Sequence, residues 1–226
     1  IWLPVFSLLF FLLNSTVHFG QSQFSDYIEI PKGVSLTLNF TWGASILLGL
    51  ICYHFVEIST VISQIPDLFP FQVLLNEKIL SFFLVISTLT AIILMVYAAI
   101  IKKITLEKLI LELIFLGLIH VSFFILPILI GFTLYFVLLH SIKVLVEEFR
   151  YLRFKKGELS IIGFIKMLAP FTFMSIFFGA IAVVLVYFEI LQASYTLIFL
   201  ALLSAITLPH SIVMDQFYKG VFQTIR

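Results

Sequence analysis

The chain has 226 residues, 62% hydrophobic and 11% charged, with 27 phenylalanines and a formal net charge of +1. Soluble domains carry about a quarter charged residues, so this composition excludes a water-soluble globule and indicates an integral membrane protein. The basic residues sit in short clusters between apolar runs, which gives no nucleic-acid surface, and the single Cys52 excludes an internal disulfide, a thiolate zinc site and an iron–sulfur cluster.

In chain order, the first apolar segment covers 1–17 and ends in His18-Phe19-Gly20. It opens at Ile1 without a methionine or a charged leader, and the expectation is a fragment that has lost its N-terminal part. A polar loop, QSQFSDYIEIPKG, contains the breakers Pro31 and Gly33. The second segment, 38–58, holds Trp42, His54 and Glu57. Pro66 and Pro70 mark the loop to a third, 79–101, which is uncharged and closed by Lys102 and Lys103. The fourth and fifth, 109–124 and 128–149, meet at Pro127, which marks either a tight reversal or a sharp kink. The basic loop RYLRFKKGE precedes the sixth, 161–188, with Pro170 inside it, and the seventh covers 193–218. The expected fold is all-α, a polytopic membrane bundle of about seven transmembrane helices forming a single domain over 1–226.

With seven spans, one side collects Lys32, Lys102, Lys103, Lys108, the basic residues at 150–156, Lys166, Lys219 and Arg226, and the other collects Lys78. The positive-inside rule makes the first side, with the 150–160 loop, cytoplasmic. His140 lies ten residues before Arg150 and His210 nine before Lys219. At about 1.5 Å per residue, both lie roughly 14–15 Å from the cytoplasmic boundary, and His18 lies about 12 Å from it by its distance to Asp26. Three histidines on three segments therefore share one layer. His54 falls near the opposite face, about 33 Å from Lys32, and His120 lies near mid-bilayer in a different kind of sequence.

A neutral imidazole inside a membrane is a functional hypothesis, to be weighed against a ring satisfied by a nearby carbonyl. Convergent imidazoles suit a borderline transition metal. With few carboxylates and no thiolates nearby, Fe(II) with positions open for O2 is the natural occupant, and a hydrolytic zinc site is the competing one. Glu147, seven residues after His140, and Asp215, five after His210, are candidates to orient the ligand rings; Asp26 reads as a solvated loop residue. From another class comes a non-catalytic membrane protein, a transporter or haem-binding subunit, whose histidines relay protons or hold a cofactor.

STVHFGQ, LPILIGFTLYFVLLHS with its following EEF, LPHSIVMDQFY and WGASILLG together resemble the Brp/Blh-type β-carotene 15,15′-dioxygenase family over most of the chain. The resemblance implies a membrane enzyme that uses Fe(2+) and O2 to split the central double bond of β-carotene into two retinals. It implies His18, His140 and His210 as metal ligands, with Tyr135 beside them, location in the plasma membrane, and delivery of retinal to a rhodopsin. The family's early Pro-His-Gly motif does not occur here, which implies a further ligand ahead of Ile1. Val144 stands one turn after His140, where some members carry another histidine.

Overall fold

In a bilayer each segment must satisfy its own backbone hydrogen bonds, so apolar runs of this length become helices. The computed structural model describes residues 3–25, 30–72, 75–190 and Met214, and all its regular structure there is helical. Helix α1 is Leu3–Gln23, α2 Lys32–Tyr53 and α3 Phe55–Ser63. After a 3-10 turn at Pro66–Leu68 come α4, Phe69–Gln72, α5, Glu77–Ile100, and α6, Leu106–Ile125. Helix α7, Ile128–Thr133, runs through a π-helix, Leu134–Ser141, into α8, Ile142–Lys156. Helix α9, Ile161–Tyr187, completes the described elements.

Among the described residues, five rods are long and apolar enough to cross a membrane: α2, α5, α6, the continuous α7–π–α8 rod and α9. The expected seventh segment, 193–218, lies outside the described residues except for Met214, which is buried. The expected first segment is helical but extends past His18-Phe19-Gly20 to Gln23, because Ser22 and Gln23 find partners on other helices and do not need water. The second segment starts six residues early and breaks at His54, whose φ of −118° and ψ of 31° leave the helical range.

Local chemistry sets the remaining ends. Asn76, Thr105 and Ser160 accept from the backbone N–H three residues on, capping α5, α6 and α9. Glu77 and Glu107 occupy first turns, where carboxylates complement the helix dipole. Lys102 takes a left-handed φ of 58° and closes α5. Leu126 and Pro127 are both extended, and Gly131 returns against Phe123, so Pro127 marks a reversal between two helices.

Among the described residues, two clusters form the interior. Phe19, Trp42, Met95, Ile119, Phe123 and Tyr135 lie in the larger one, which joins α1, α2, α5, α6 and the π segment. The smaller gathers Val5 of α1 with Ile62, Ile65, Leu68 and Phe71. Phe82, Phe83, Ile93, Phe124, Phe171 and Phe173 are exposed, the outward face that lipid would cover.

Helices α1 and α2 meet backbone to backbone. A Cβ on Gly20 would stand 1.9 Å from the Asn39 carbonyl oxygen, and one on Gly43 would stand 1.8 Å from that of Thr16. Small residues permit such an approach in membranes, where packing replaces the hydrophobic drive. Ser15 Oγ, Asn39 Oδ1 and Trp42 Nε1 are buried at this contact region without hydrogen-bond partners among the described residues.

Gly20→Ala and Gly43→Ala should each force the two helices apart, costing about 1–3 kcal/mol or more, as overpacking does. Gly117→Ala has nothing within 4 Å of the added carbon. It should be neutral or stabilising by up to about 1 kcal/mol. Thermal unfolding of the purified variants in detergent reads the difference.

Candidate metal centre

His18 and His140 belong to different helices, and the fold brings them together. Their ring centroids are 5.1 Å apart at an interplanar angle of 82°, an edge-on contact. Both are buried, at 2% and 7% exposure. His210 lies outside the described residues, as do Asp215 and Asp26. Among the described residues, no three of His, Cys, Asp and Glu gather as a metal site.

The face of α1 that carries His18 is set by its opposite face. Thr16 and Gly20, four apart, lie against α2. Residues two apart on an α-helix point about 200° from one another, so His18 and Ser22 face away from α2 and toward the π segment.

The π-helix sets His140. In an α-helix, residues five apart point about 140° away from each other. A ladder of i to i+5 bonds brings them round to the same side. Tyr135 and His140, five apart, are accordingly both buried, with ring centroids 6.3 Å apart. Ser141 Oγ donates to the carbonyl of Phe136, also five back, at 2.7 Å. Single-turn π segments occur mostly where function needs a side chain re-aimed. Phe19 meets the His140 ring edge-on at 4.8 Å and Phe136 stacks on it at 5.7 Å. These rings make an apolar wall round the imidazoles.

Three polar contacts fasten the end of α1 to the same rod. Ser22 Oγ lies 2.9 Å from His140 Nδ1. Lys143 Nζ donates to the Gln23 carbonyl at 2.5 Å, where a cation complements the C-terminal end of the helix dipole. Ser25 Oγ donates to Glu147 Oε1 at 2.6 Å, with Lys143 at 3.8 Å from the same oxygen. His140, Lys143 and Glu147 follow the i, i+3, i+7 spacing of one helix face. Gln23 also donates to Glu112 on α6 at 2.7 Å. The group on Nδ1 of His140 is thus Ser22, with Glu147 one contact further along the face. Reading α1 as ending near residue 17 hid Ser22 in a loop; once the helix continues, Ser22 stands one turn beyond His18 and on its face.

Two other histidines sit in different surroundings. His54 Nε2 donates to the Phe123 carbonyl at 2.9 Å, bracing the break between α2 and α3. His120 takes part in a directed chain. Thr88 donates to the Leu84 carbonyl at 2.8 Å, so Thr88 accepts from Ser45 at 2.6 Å. Ser45 must then accept from His120 Nε2 at 2.9 Å, leaving Nδ1 to accept from the Tyr53 hydroxyl at 3.1 Å. Gly49 gives this ring room: a Cβ there would lie 3.0 Å from His120 Cε1.

Imidazole is a donor that a borderline metal such as iron would accept, and His18 and His140 are the residues here that would offer it. The two imidazoles are buried, come from separate helices and contact edge-on, with the rings of Phe19 and Phe136 against His140. A family model described as Beta-carotene 15,15'-dioxygenase matches residues 1–218. No curated protein and no solved structure matches the chain.

His120→Ala should destabilise the bundle by about 1–3 kcal/mol, because it strands the Ser45 and Tyr53 hydroxyls. Its bound metal should stay at the wild-type level. Thermal unfolding and metal analysis of the same preparation test both parts.

Proposed function

The chain belongs to the β-carotene 15,15′-dioxygenase family, and from that premise we propose that it splits the central 15,15′ double bond of β-carotene with O2, giving two molecules of all-trans-retinal. The catalytic metal is Fe(2+), held by His18, His140 and His210. The observation that carries this reading is the buried contact of His18 and His140, imidazoles from distant parts of the chain with 5.1 Å between ring centroids. Bound there, Fe(2+) supplies the electronic route by which ground-state O2 reacts with a closed-shell polyene.

The protein's part follows from its residues. His18 and His140 would hold the metal as neutral donors, leaving its positive charge uncompensated by the protein ligands. Phe19, Tyr135 and Phe136 exclude water from one side of the imidazoles and offer flat apolar surface to a polyene. The balance is simple: one O2 and one carbon–carbon double bond give two carbonyls, with no outside reductant. A site of imidazoles and aromatic rings, whose carboxylates Glu147 and Glu112 are engaged with Ser25, Lys143 and Gln23, suits a reaction with no general acid.

The substrate reaches the site from the hydrocarbon core. The chain sits in the plasma membrane with the 150–160 loop cytoplasmic. The product passes to a retinal-binding rhodopsin.

In the full-length protein, His18→Ala, His140→Ala and His210→Ala should each lower bound iron and abolish retinal in β-carotene-producing cells, while His54→Ala keeps both. Retinal and stoichiometric iron in all three variants would sink the proposal. A Soret band in the purified wild type would point to haem instead of non-haem iron. In a Cys52→Ser background, a cysteine placed at Gly157 should resist impermeant thiol reagents in intact cells; labelling from outside would reverse the orientation.

A further inference from the structure

We infer that Ser22 is the positioning residue for His140: it holds the imidazole with its proton on Nδ1, which makes Nε2 the nitrogen that binds the metal. The inference rests on the reading of His140 as an iron ligand. Ser22 Oγ stands 3.0 Å from the Phe19 carbonyl oxygen and 2.9 Å from His140 Nδ1. A carbonyl oxygen only accepts, and a serine hydroxyl has one proton. The arrangement that satisfies both contacts sends that proton to Phe19, so Oγ presents a lone pair to Nδ1 and Nδ1 must donate. The reverse assignment would set two oxygen lone pairs against each other at 3.0 Å. Ser22 is 2% exposed, so water cannot take over either bond cheaply.

A neutral imidazole carries one N–H, so fixing it on Nδ1 puts the ring's lone pair on Nε2. Metal-bound histidines commonly donate their other N–H to a fixed acceptor, which sets the tautomer and the ring orientation. The rest of the site serves the same end. Phe136 stacked on the ring and Phe19 against its edge resist a flip that would exchange Nδ1 for a carbon. Lys143 on the Gln23 carbonyl and Glu147 on Ser25 hold the end of α1 at this distance. The π register turns His140 toward Ser22 and keeps Tyr135 on the same side.

The test uses the full-length protein in lipid nanodiscs. In the metal-free state, 15N-histidine spectra, with the His140 signals assigned by their loss in His140→Gln, should show a protonated Nδ1 and an unprotonated Nε2. Co(II), a spectroscopic stand-in for Fe(2+), should bind Ser22→Ala about 10–100-fold more weakly than wild type, the usual effect of removing such a partner. Ser22→Thr, which keeps the hydroxyl, should recover most of that affinity. A residue that merely packs would change thermal stability without moving the tautomer. A wild-type His140 protonated on Nε2 overturns the inference without needing any variant to fold. Wild-type affinity in Ser22→Ala, or a Ser22→Thr as weak as Ser22→Ala, overturns it too. Absence of Co(II) binding to wild type overturns the iron reading itself, whereas an Nε2–H signal with Co(II) binding intact removes only the role of Ser22. The two failures are therefore told apart.

Discussion

The touching backbones of α1 and α2 govern the position of everything else in the site. Gly20 and Gly43 leave no space for a methyl group between the helices. That contact fixes the rotation of α1 about its axis, and rotation decides which side chains face inward. With Thr16 and Gly20 committed to α2, His18 and Ser22 have one direction left, toward the π segment. In a bilayer this matters more than in water, because lipid competes with side chains for apolar contact and only close packing discriminates one rotation from another. Ser15, Asn39 and Trp42 keep buried polar atoms near this crossing that have no partner among the described residues.

The second constraint is the π segment on the facing rod. One α-helical continuation from Ile128 to Lys156 would place either Tyr135 or His140 on the lipid side. The i to i+5 ladder turns both inward and gives up some hydrogen-bond geometry to do so. Contacts at its C-terminal end hold this register: Ser141 bonds back to the Phe136 carbonyl, and Lys143 and Glu147 anchor the next turns to α1. A metal site needs ligands held within a few tenths of an ångström, and two helices locked by complementary polar contacts meet that need better than a loop would.

Much of this was legible in the sequence. Length and apolarity identified the helices, and the loop breakers gave most boundaries within a few residues. Counting residues to charged boundaries put His18, His140 and His210 in one layer; the first two meet in the fold, and His210 lies outside the described residues. The π register was not legible, because LYFVLLHS holds no glycine or proline to announce a change of phase. Nor was Ser22. A run such as GQSQ reads as loop by polarity alone, and only tertiary partners, here Glu112, His140 and Lys143, let it continue as helix. The break at His54 was hidden for a related reason: the Phe123 carbonyl that accepts from its ring comes from a helix nearly seventy residues away.

The histidines carry one further lesson about reading intramembrane polar residues. His54, His120 and His140 share the same side chain and similar apolar neighbours in sequence. What separates them is the partner on each ring nitrogen. His120 gives its proton to Ser45 and takes one from Tyr53, so both nitrogens serve helix-to-helix cohesion. His54 spends its Nε2–H on a backbone carbonyl whose own helix is ending. His140 meets a hydroxyl already committed to Phe19, which accepts and does not donate, and its ring faces His18 across 5.1 Å. Two imidazoles edge to edge in an apolar shell gain little from each other as neutral rings, and they would repel if both were protonated. A cation held by both rings would need them neutral and close, and among the described residues His18 and His140 are the two imidazoles that meet, buried and edge to edge.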